Sequence, residues 1–328
     1  MSQLNTTVMV TGAGGFIGRH LCKQLGQHGY EVIALLRQHP LPGSTTGAAE
    51  FDFHLSDIRD TQQLAKGLDG VELVFHLAGI AHVEGPGKSV LQSVNRDGTA
   101  SLIEAGQIAG VRKIIYFSSS LAGAAESGAE DSTAYGESKY QAEQLLMRAR
   151  ESTDLEVCIL RPVNVYGPGM KGHLVTMIKW IRKGLLPPLP TLPARFSLIE
   201  VTDLCQAAIL SAENNSTYPK TYYVTDGTDY NINEIETAIY TALGKVKPRW
   251  RCPRVILYAA AVGAEILGRV TGRQSGLGRR TYRNLVSGRT FSNSPICDEL
   301  GFKPSTTFYN ELASIVADLD NAQPTTPE

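Results

Sequence analysis

The sequence predicts an α/β protein, with a doubly wound parallel sheet that carries helices on both faces and a smaller, mostly helical second domain. Three observations indicate this fold class. Apolar runs of strand length alternate with helical patterns through the first half of the chain, and a glycine-rich turn follows the first run. The alternation ends near Tyr166, where Gly167-Pro168-Gly169 interrupts the chain. Strand–helix alternation of this kind is typical of parallel sheets, whose ligands bind beyond the carboxyl ends of the strands.

The predicted elements follow in chain order. Strands are expected at 7–11, 31–36, 50–53, 71–77, 112–118 and 156–161, with helices between them at 16–27, 60–68, 89–109 and 135–150. Further helices are expected at 174–184, 201–212, 231–243, 254–268 and 309–319, and a strand at 221–225 returns to the main sheet. We therefore predict a dinucleotide-binding domain at 1–165, to which 199–226 returns, and a substrate domain at 166–328.

Composition narrows the classes of partner. The chain has 328 residues, with 31 Lys and Arg against 32 Asp and Glu, so its net charge of −1 gives no electrostatic reason to expect a nucleic acid or an anionic membrane. Five cysteines without a C-x-x-C pair favour a reduced, cytoplasmic compartment. No metal site is expected. Residues 1–7 lack an apolar signal core, and the tail from Asn321 is expected to be disordered.

The most apolar stretch, Val255–Leu267, is too short to span a bilayer and contains Glu265. It predicts a buried or amphipathic helix, and no transmembrane segment is expected. The alternative is a patch that rests on a membrane surface.

The glycine-rich segment Thr11–Gly18 joins the first predicted strand to the first predicted helix. Gly12 permits a tight turn, Gly15 lets the backbone approach a pyrophosphate, and Gly18 lets helix and strand pack closely. The free N–H groups at the helix start, where Phe16 and Ile17 lie, then face the negative charge. The segment predicts a Rossmann-type dinucleotide-binding site, with a plain glycine turn as the alternative.

A second group of residues carries the predicted chemistry. Three serines, 118–120, follow a buried strand, and Tyr135 and Lys139 lie one turn apart on one helix face. An ammonium at roughly 4 Å, with an effective dielectric near 20, supplies about the 4 kcal/mol needed to lower a phenol pKa from about 10 by about 3. Tyr135 could then exchange a proton with a substrate alcohol while a nicotinamide exchanges hydride. An exposed helix face is the alternative reading of the Tyr–Lys pair.

Together these motifs resemble the extended short-chain dehydrogenase/reductase family, and within it the nucleotide-sugar epimerase/dehydratase branch. The resemblance runs from residue 7 to about 310. It rests on the glycine motif and on Asp57-Ile58, His76-Leu77-Ala78-Gly79, Asn95, Ser120, Tyr135, Lys139, Arg161–Gly169 and Arg195–Leu204.

The resemblance implies a role for each matching residue. The cofactor would be bound by Gly12, Gly15, Phe16, Ile17, Gly18, Arg37, Asp57, Ile58, Leu77, Ala78, Gly79, Asn95, Tyr135, Lys139 and Pro162. Ser120, Tyr135 and Lys139 would form the catalytic triad, in which Ser120 is chosen from the three serines by alignment of Ser-Ser-Ser-Leu-Ala.

The implied substrate contacts lie farther along the chain. Ser120 and Asn164 would contact the nucleotide-sugar, and Arg195 would pair with a phosphate, a role that suits a planar guanidinium. Two features depart from the branch. The Ser120–Tyr135 interval is short, and the second phosphate-binding arginine, Arg283 or Arg289, sits in no clean motif.

The end of the second strand bears on the choice of nicotinamide cofactor. NAD-specific relatives place a carboxylate there to accept the ribose hydroxyls, whereas Leu36 is followed here by Arg37 and Gln38. Arg37 is a good partner for a 2′-phosphate, so we predict a preference for NADP(H), with NAD(H) possible.

The resemblance implies redox chemistry at carbon 4 of a UDP-hexose, through either a 4-epimerase or a 4-reductase that acts on a UDP-4-keto-sugar. A carbonyl reductase of the steroid or flavonoid type would share the triad and would not need the phosphate-binding residues. A non-catalytic NADP(H)-binding protein is the third hypothesis. Relatives pair through two long helices, here 89–109 and 135–150, so a homodimer is expected.

Overall fold

A computed structural model of the chain describes residues 6–39, 51–80, 87–214, 220–271 and 278–321. These residues divide into two compact units. The described residues of Met1–Val163, Val201–Val224 and Asn293–Lys303 form the first, and those of Asn164–Glu200, Thr225–Ser292 and Pro304–Glu328 form the second. The tail that the sequence predicts to be disordered lies outside the described residues, except for its first residue, Asn321. Residue 50, at the start of the third predicted strand, also lies outside them.

Ten strands are described. In chain order they are β1 (Thr7–Thr11), β2 (Glu31–Leu36), β3 (Asp52–Leu55), β4 (Leu73–His76), β5 (Lys113–Phe117), β6 (Glu156–Pro162), β7 (Asn164–Tyr166), β8 (Arg195–Glu200), β9 (Lys220–Val224) and β10 (Asp229–Asn231). The first unit contains a seven-stranded sheet in the order β3-β2-β1-β4-β5-β6-β9, and every neighbouring pair in it is parallel. The predicted fold class is thereby confirmed.

Each predicted helix is present, and the structure adds helices at 122–126, 279–287 and 294–300 and the strands β7, β8 and β10, which the sequence did not predict. The helices are α1 (Phe16–Gln27), α2 (Thr61–Gly67), α3 (Lys88–Leu91), α4 (Gly98–Ala109), α5 (Ala122–Glu126), α6 (Ala134–Ser152), α7 (His173–Lys183), α8 (Val201–Glu213), α9 (Ile232–Ala242), α10 (Arg254–Thr271), α11 (Arg279–Ser287), α12 (Ser294–Leu300) and α13 (Phe308–Asn321). A π-helical turn, Gln92–Asp97, joins α3 to α4 within the single helix predicted at 89–109.

The core of the first unit explains why its strands read as continuous apolar runs. All four residues of β4 are buried, because a parallel strand is covered on both faces. Strand residues such as Met9, Val74 and Ile114 pack with Leu102 of α4 and Leu146 of α6 in one hydrophobic cluster. This packing fixes the carboxyl ends of the strands, which carry the candidate site.

The second unit contains a three-stranded sheet in the order β10-β8-β7. Asp226 accepts hydrogen bonds from the Tyr166 hydroxyl (3.1 Å) and the Tyr230 hydroxyl (2.6 Å). The Tyr230 oxygen in turn accepts the backbone N–H of Phe308 at 2.9 Å, which ties α13 to this sheet. None of the helices that the structure describes is both long and apolar enough to cross a membrane.

Candidate functional site

The loop between β1 and α1 is shaped by two glycines. Gly12 has a φ of +70°, and a Cβ there would lie 2.8 Å from the backbone nitrogen of Ala78. A Cβ on Gly18 would lie 2.3 Å from the Gly12 carbonyl oxygen. Both contacts are too short for a side chain, so the loop can approach β4 and α1 only with glycine at these positions.

The start of α1 leaves backbone donors for a ligand. Gly15 is its N-cap residue and has no side chain to accept a hydrogen bond, and no acidic residue lies in the first turn. The N–H groups of Phe16 and Ile17 therefore lack intrahelical acceptors. A helix start of this kind is suited to a phosphate or pyrophosphate.

A buried chain of hydrogen bonds connects this loop to the helix that follows β4. The Thr11 hydroxyl accepts the N–H groups of Leu77 (3.1 Å) and Ala78 (3.0 Å) and lies 2.8 Å from Nδ1 of His76. The other ring nitrogen of His76 lies 2.9 Å from the Thr99 hydroxyl, which donates to the Asn95 carbonyl at 2.6 Å. Because that hydroxyl donates onward, it accepts from Nε2–H, and Nδ1 accepts from Thr11.

His76 is a structural part of this chain and not a candidate proton carrier. It is fully buried, and desolvation, with a smaller contribution from the charge of Lys139, lowers its pKa to about 3. The imidazole is therefore neutral at physiological pH and can serve both hydroxyls at once.

Asn95, which the sequence selects, lies in the π-helical turn and is buried. Its side chain accepts the Ile80 N–H at 2.7 Å, and its amide nitrogen donates to the Ile80 carbonyl (3.2 Å) and to the Ser138 hydroxyl (2.9 Å). A Cβ on Gly79 would lie 2.9 Å from the Asn95 oxygen and 3.7 Å from Nζ of Lys139. The structure thus brings three predicted residues, Gly79, Asn95 and Lys139, to one place.

Tyr135 and Lys139 lie on α6, which begins where Thr133 accepts the Gly136 N–H at 2.8 Å. Lys139 is only 4% exposed, and its Nζ lies 4.5 Å from the centre of the Tyr116 ring. Burial lowers the pKa of Lys139 to about 7, although the charge of Glu143 acts in the opposite direction. Burial therefore makes this lysine easier to deprotonate than a lysine in water.

The expected lowering of the Tyr135 pKa by Lys139 is not found in the chain by itself. Burial raises the pKa of Tyr135 to about 12, and a hydrogen bond with Ser119 only partly opposes this. The expectation rested on an ammonium beside the phenol alone. The free-energy cost of taking the phenolate out of water, which raises the pKa, was left out.

Of the three serines after β5, Ser119 is the one that helps to lower the Tyr135 pKa, and the catalytic role that the resemblance gives to Ser120 stays a prediction. The Ser118 hydroxyl donates to Glu143, and the backbone N–H of Ser120 donates to the Pro162 carbonyl at 2.9 Å.

Sequence reasoning missed a buried ion pair beneath these residues. Glu143 follows Lys139 by one turn of α6, and its carboxylate accepts two hydrogen bonds from Arg161 of β6, at 2.9 and 2.6 Å. Arg161 also donates to Glu126 at 2.6 Å. The signal was present as a carboxylate at i+4 from Lys139 and an arginine in a strand that otherwise reads as buried.

The expected adenosine end of the site carries two arginines. Asp57 binds Arg59 in a bidentate ion pair with both contacts at 2.8 Å. Hydrogen bonds and charge from Arg59, with a smaller contribution from the charge of Arg37, lower the Asp57 pKa to about 2. Arg37 is exposed directly after β2. Ile58 packs its side chain in the core, so a cofactor contact there would involve its backbone.

The two predicted substrate residues lie in the second unit. Asn164 begins β7 and Arg195 begins β8; both are exposed, and Arg195 donates to the Asp229 carbonyl at 3.1 Å. The Arg289 carbonyl accepts the N–H of Ser197 at 3.3 Å, so residue 289 runs beside β8. Arg283 belongs to α11 instead.

Comparison with protein families matches residues 8–232 to a family described as the NAD dependent epimerase/dehydratase family. The matched range contains the glycine loop, Asn95, Tyr135 and Lys139. It therefore covers the buried network described above.

Three relatives match most of the chain. Short-chain dehydrogenase/reductase family 42E member 1 of Bos taurus is 29% identical in an alignment of 332 positions, which covers 90% of this chain and 84% of that protein. UDP-glucose 4-epimerase of Vibrio cholerae is 27% identical over 286 residues, covering 81% and 85%. A 3-beta-hydroxysteroid dehydrogenase of Mycolicibacterium neoaurum is 26% identical over 330 residues, covering 93% and 89%.

Among solved structures, the UDP-glucose 4-epimerase of Thermotoga maritima, crystallised with UDP-glucose, superposes with a TM-score of 0.75. The alignment covers 96% of this chain and 98% of that one at 21% identity. This likeness shows a shared fold.

Proposed function

Because the chain belongs to the NAD dependent epimerase/dehydratase family of extended short-chain dehydrogenases/reductases, we propose that this enzyme carries out redox chemistry at carbon 4 of a UDP-hexose. The observation that carries the proposal is the position of Tyr135 one helical turn before the buried Lys139 on α6, where Lys139 borders Gly79. When bound, a nicotinamide cofactor supplies the group that takes up or returns hydride.

The glycine loop fits such a cofactor. Gly12 and Gly18 leave no room for side chains, and the start of α1 offers free N–H groups to a pyrophosphate. Asn95 and Lys139 both border Gly79 at the end of β4, where a ribose or nicotinamide ring would need polar partners.

The chain's own residues would divide the proton chemistry. Ser120 would hold the substrate oxygen, Ser119 favours the phenolate of Tyr135, and Tyr135 would exchange a proton with the substrate hydroxyl. Protonated Lys139 favours the same phenolate, and buried Glu143 favours protonated Lys139. The pKa of about 12 in the chain alone means that a further positive charge near the phenol would be required at neutral pH.

Support for a UDP-sugar comes from the 27% identical UDP-glucose 4-epimerase and from Asn164 and Arg195. Arg289, which runs beside β8 next to Arg195, is our choice for the second phosphate-binding arginine. Complete retention of Tyr135 and Lys139 argues against a non-catalytic binding protein.

The experiment is incubation with UDP-glucose, UDP-galactose and their N-acetyl forms, without added cofactor. Interconversion identifies a 4-epimerase. No interconversion, together with NADPH oxidation on a UDP-4-keto-sugar, identifies a 4-reductase. If neither interconversion nor NADPH oxidation is observed, the carbon-4 assignment is refuted and a steroid substrate is favoured. The 26% identical 3-beta-hydroxysteroid dehydrogenase is the observation that supports a steroid substrate.

We further propose a preference for NADP(H). Arg37 is exposed at the end of β2, and its charge reaches Asp57 at the expected adenosine end. Steady-state efficiency with NADPH and NADH would be compared for wild type and Arg37→Asp, which should shift the ratio toward NADH. Equal use of both cofactors by the wild type would contradict this choice.

A homodimer through 89–109 and 135–150 remains our proposal for the assembly. Val90 and Ile108 are large apolar side chains exposed at 45% and 69% on the first of these segments. A sedimentation mass of 35.5 kDa, that of one chain, would contradict it.

A further inference from the structure

The near-zero net charge of the chain conceals an uneven distribution. The described segments 245–271 and 278–289, here together called the basic segment, contain ten Lys and Arg residues and one acidic residue, Glu265. Their charge is therefore +9 in a chain whose total is −1. Apart from Arg289, which the proposed function gives to a substrate phosphate, these residues have no part in the proposed chemistry.

The same segment exposes apolar side chains. Six of the eleven exposed large apolar residues in the described chain lie between positions 246 and 266. They are Val246 (92% exposed), Trp250, Val255 (78%), Ile256, Tyr258 and Ile266. A concentration of this kind on one short segment marks an interaction surface, whereas scattered exposed residues would need no explanation.

The helix α10 arranges part of this apolar surface as a stripe. Val255, Ile256, Ala259, Gly263 and Ile266 are all exposed and follow the spacing of one helix face. Ala261 is buried at 5% exposure. An amphipathic helix with its apolar stripe outward has the opposite orientation to one that packs into a core.

Packing with α11 fixes the orientation of α10. The rings of Tyr258 and Tyr282 meet at 5.2 Å, and Arg279 pairs with Glu265 at 2.9 Å. These contacts join α10 and α11 into a helix pair, which carries both the apolar stripe and basic residues.

Two ion pairs neutralise part of this charge among the side chains that the structure describes. Lys247 pairs with Glu236 and Arg279 with Glu265. Arg251 and Arg254 instead donate to the backbone carbonyls of Leu189 and Thr191, which positions a guanidinium and leaves its charge intact.

We propose that the basic segment is a peripheral docking surface for an anionic phospholipid bilayer. Aliphatic residues and a tryptophan beside arginines match the acyl boundary and the charged headgroups of such a surface. A two-fold contact between copies would place +9 against +9, and a nucleic acid would gain nothing from exposed valine and isoleucine. The proposal does not depend on which substrate the enzyme uses.

The test is flotation or co-sedimentation of the full chain with vesicles of phosphatidylcholine alone or mixed with phosphatidylglycerol. We expect partition only onto the anionic vesicles, weakened by salt. Arg249→Gln with Arg283→Gln removes two charges, each worth about 1 kcal/mol near an anionic surface, so partition should weaken about 30-fold. Val255→Ser with Ile256→Ser should also weaken it.

The matched control is Lys23→Gln with Lys66→Gln, which removes two exposed lysines of the first unit and should leave partition unchanged. Thermal unfolding would check that every variant is folded. The proposal is overturned by absence of binding to anionic vesicles at low salt, or by binding that the serine pair does not reduce. It is equally overturned if the serine pair converts a dimer to a monomer and vesicles bind neither form.

Discussion

Replacing Glu143 with glutamine removes one charge from a buried ion pair and nearly preserves the size of the side chain. The Arg161 and Glu143 side chains are 4% and 5% exposed, and two hydrogen bonds of 2.9 and 2.6 Å join them. In Glu143→Gln one of the two acceptor oxygens becomes an amide that points donors at the guanidinium. Arg161 then keeps only Glu126, whose side chain is 52% exposed, as a carboxylate partner.

Breaking a buried pair by removing one partner costs roughly 3–5 kcal/mol, because an uncompensated charge stays buried. A domain is stable by only about 5–15 kcal/mol, so the change should be large in urea unfolding monitored by two optical probes. The control is Glu72→Gln, which breaks an exposed ion pair between Glu72 and Arg112. The Glu72 side chain is 49% exposed and the Arg112 side chain is 74% exposed. That change should cost less than about 1 kcal/mol.

A double variant separates the pair from its members. Glu143→Leu with Arg161→Met removes both charges, and replacing a whole buried pair by apolar groups is often close to neutral. It should therefore be more stable than Glu143→Gln alone. If Glu143→Gln costs no more than Glu72→Gln, the burial argument is refuted.

Three further predictions concern the site. Tyr135→Phe should lose roughly 10²–10⁴-fold in kcat while cofactor binding, measured by fluorescence titration, stays unchanged, because only the proton-transfer oxygen is removed; full activity would refute the mechanism. Ser120→Ala should reduce kcat by roughly 100-fold and Ser119→Ala less, because Ser120 would hold the substrate oxygen, and the reverse order would give that role to Ser119. Burial lowers the Lys139 pKa from 10.5 to about 7, so the folded chain binds this proton more weakly than the unfolded chain does. The burial of Lys139 therefore lowers the free energy of unfolding by its full amount below pH 7, and this loss is relieved as pH rises toward 10.5. The unfolding free energy of wild type relative to Lys139→Met should therefore increase with pH across that window, and a difference independent of pH would contradict it.

The regular part of the first unit could be read from the sequence because its signals are local. The β1–loop–α1 unit and β2 have the predicted bounds, since the apolar runs and the glycines specify them within a few residues. β3 ends at Leu55, two residues past its prediction, because exposed residues surround it and blur its pattern.

Other elements depend on contacts far apart in sequence. β7 and β10 have three residues each, too few to show a period of two, and they exist because β8 pairs with both. The return of Asn293–Lys303 to the first unit is of the same kind, since α12 packs on α8 and β9.

Within the site, residue types were predictable and their environments were not. The Tyr–Lys spacing predicted that both residues lie on one helix, whereas the raised pKa of Tyr135 follows from burial, which the spacing does not reveal. The two charged residues Glu143 and Arg161 stood out in the sequence, but their pairing could not be predicted because it joins a helix to a strand.

The π-helical turn Gln92–Asp97 has a consequence for insertions and deletions. Such a turn holds one residue more than an α-helix would, so α3 and α4 run in registers that differ by about 100°. Removing one residue between 92 and 97 would restore an unbroken helical ladder, yet it would rotate Asn95 away from Ile80 or turn Leu102 out of the core. The extra residue is therefore a local irregularity that only the site requires, and a relative free of that requirement could shorten the helix by one residue and gain a more regular backbone.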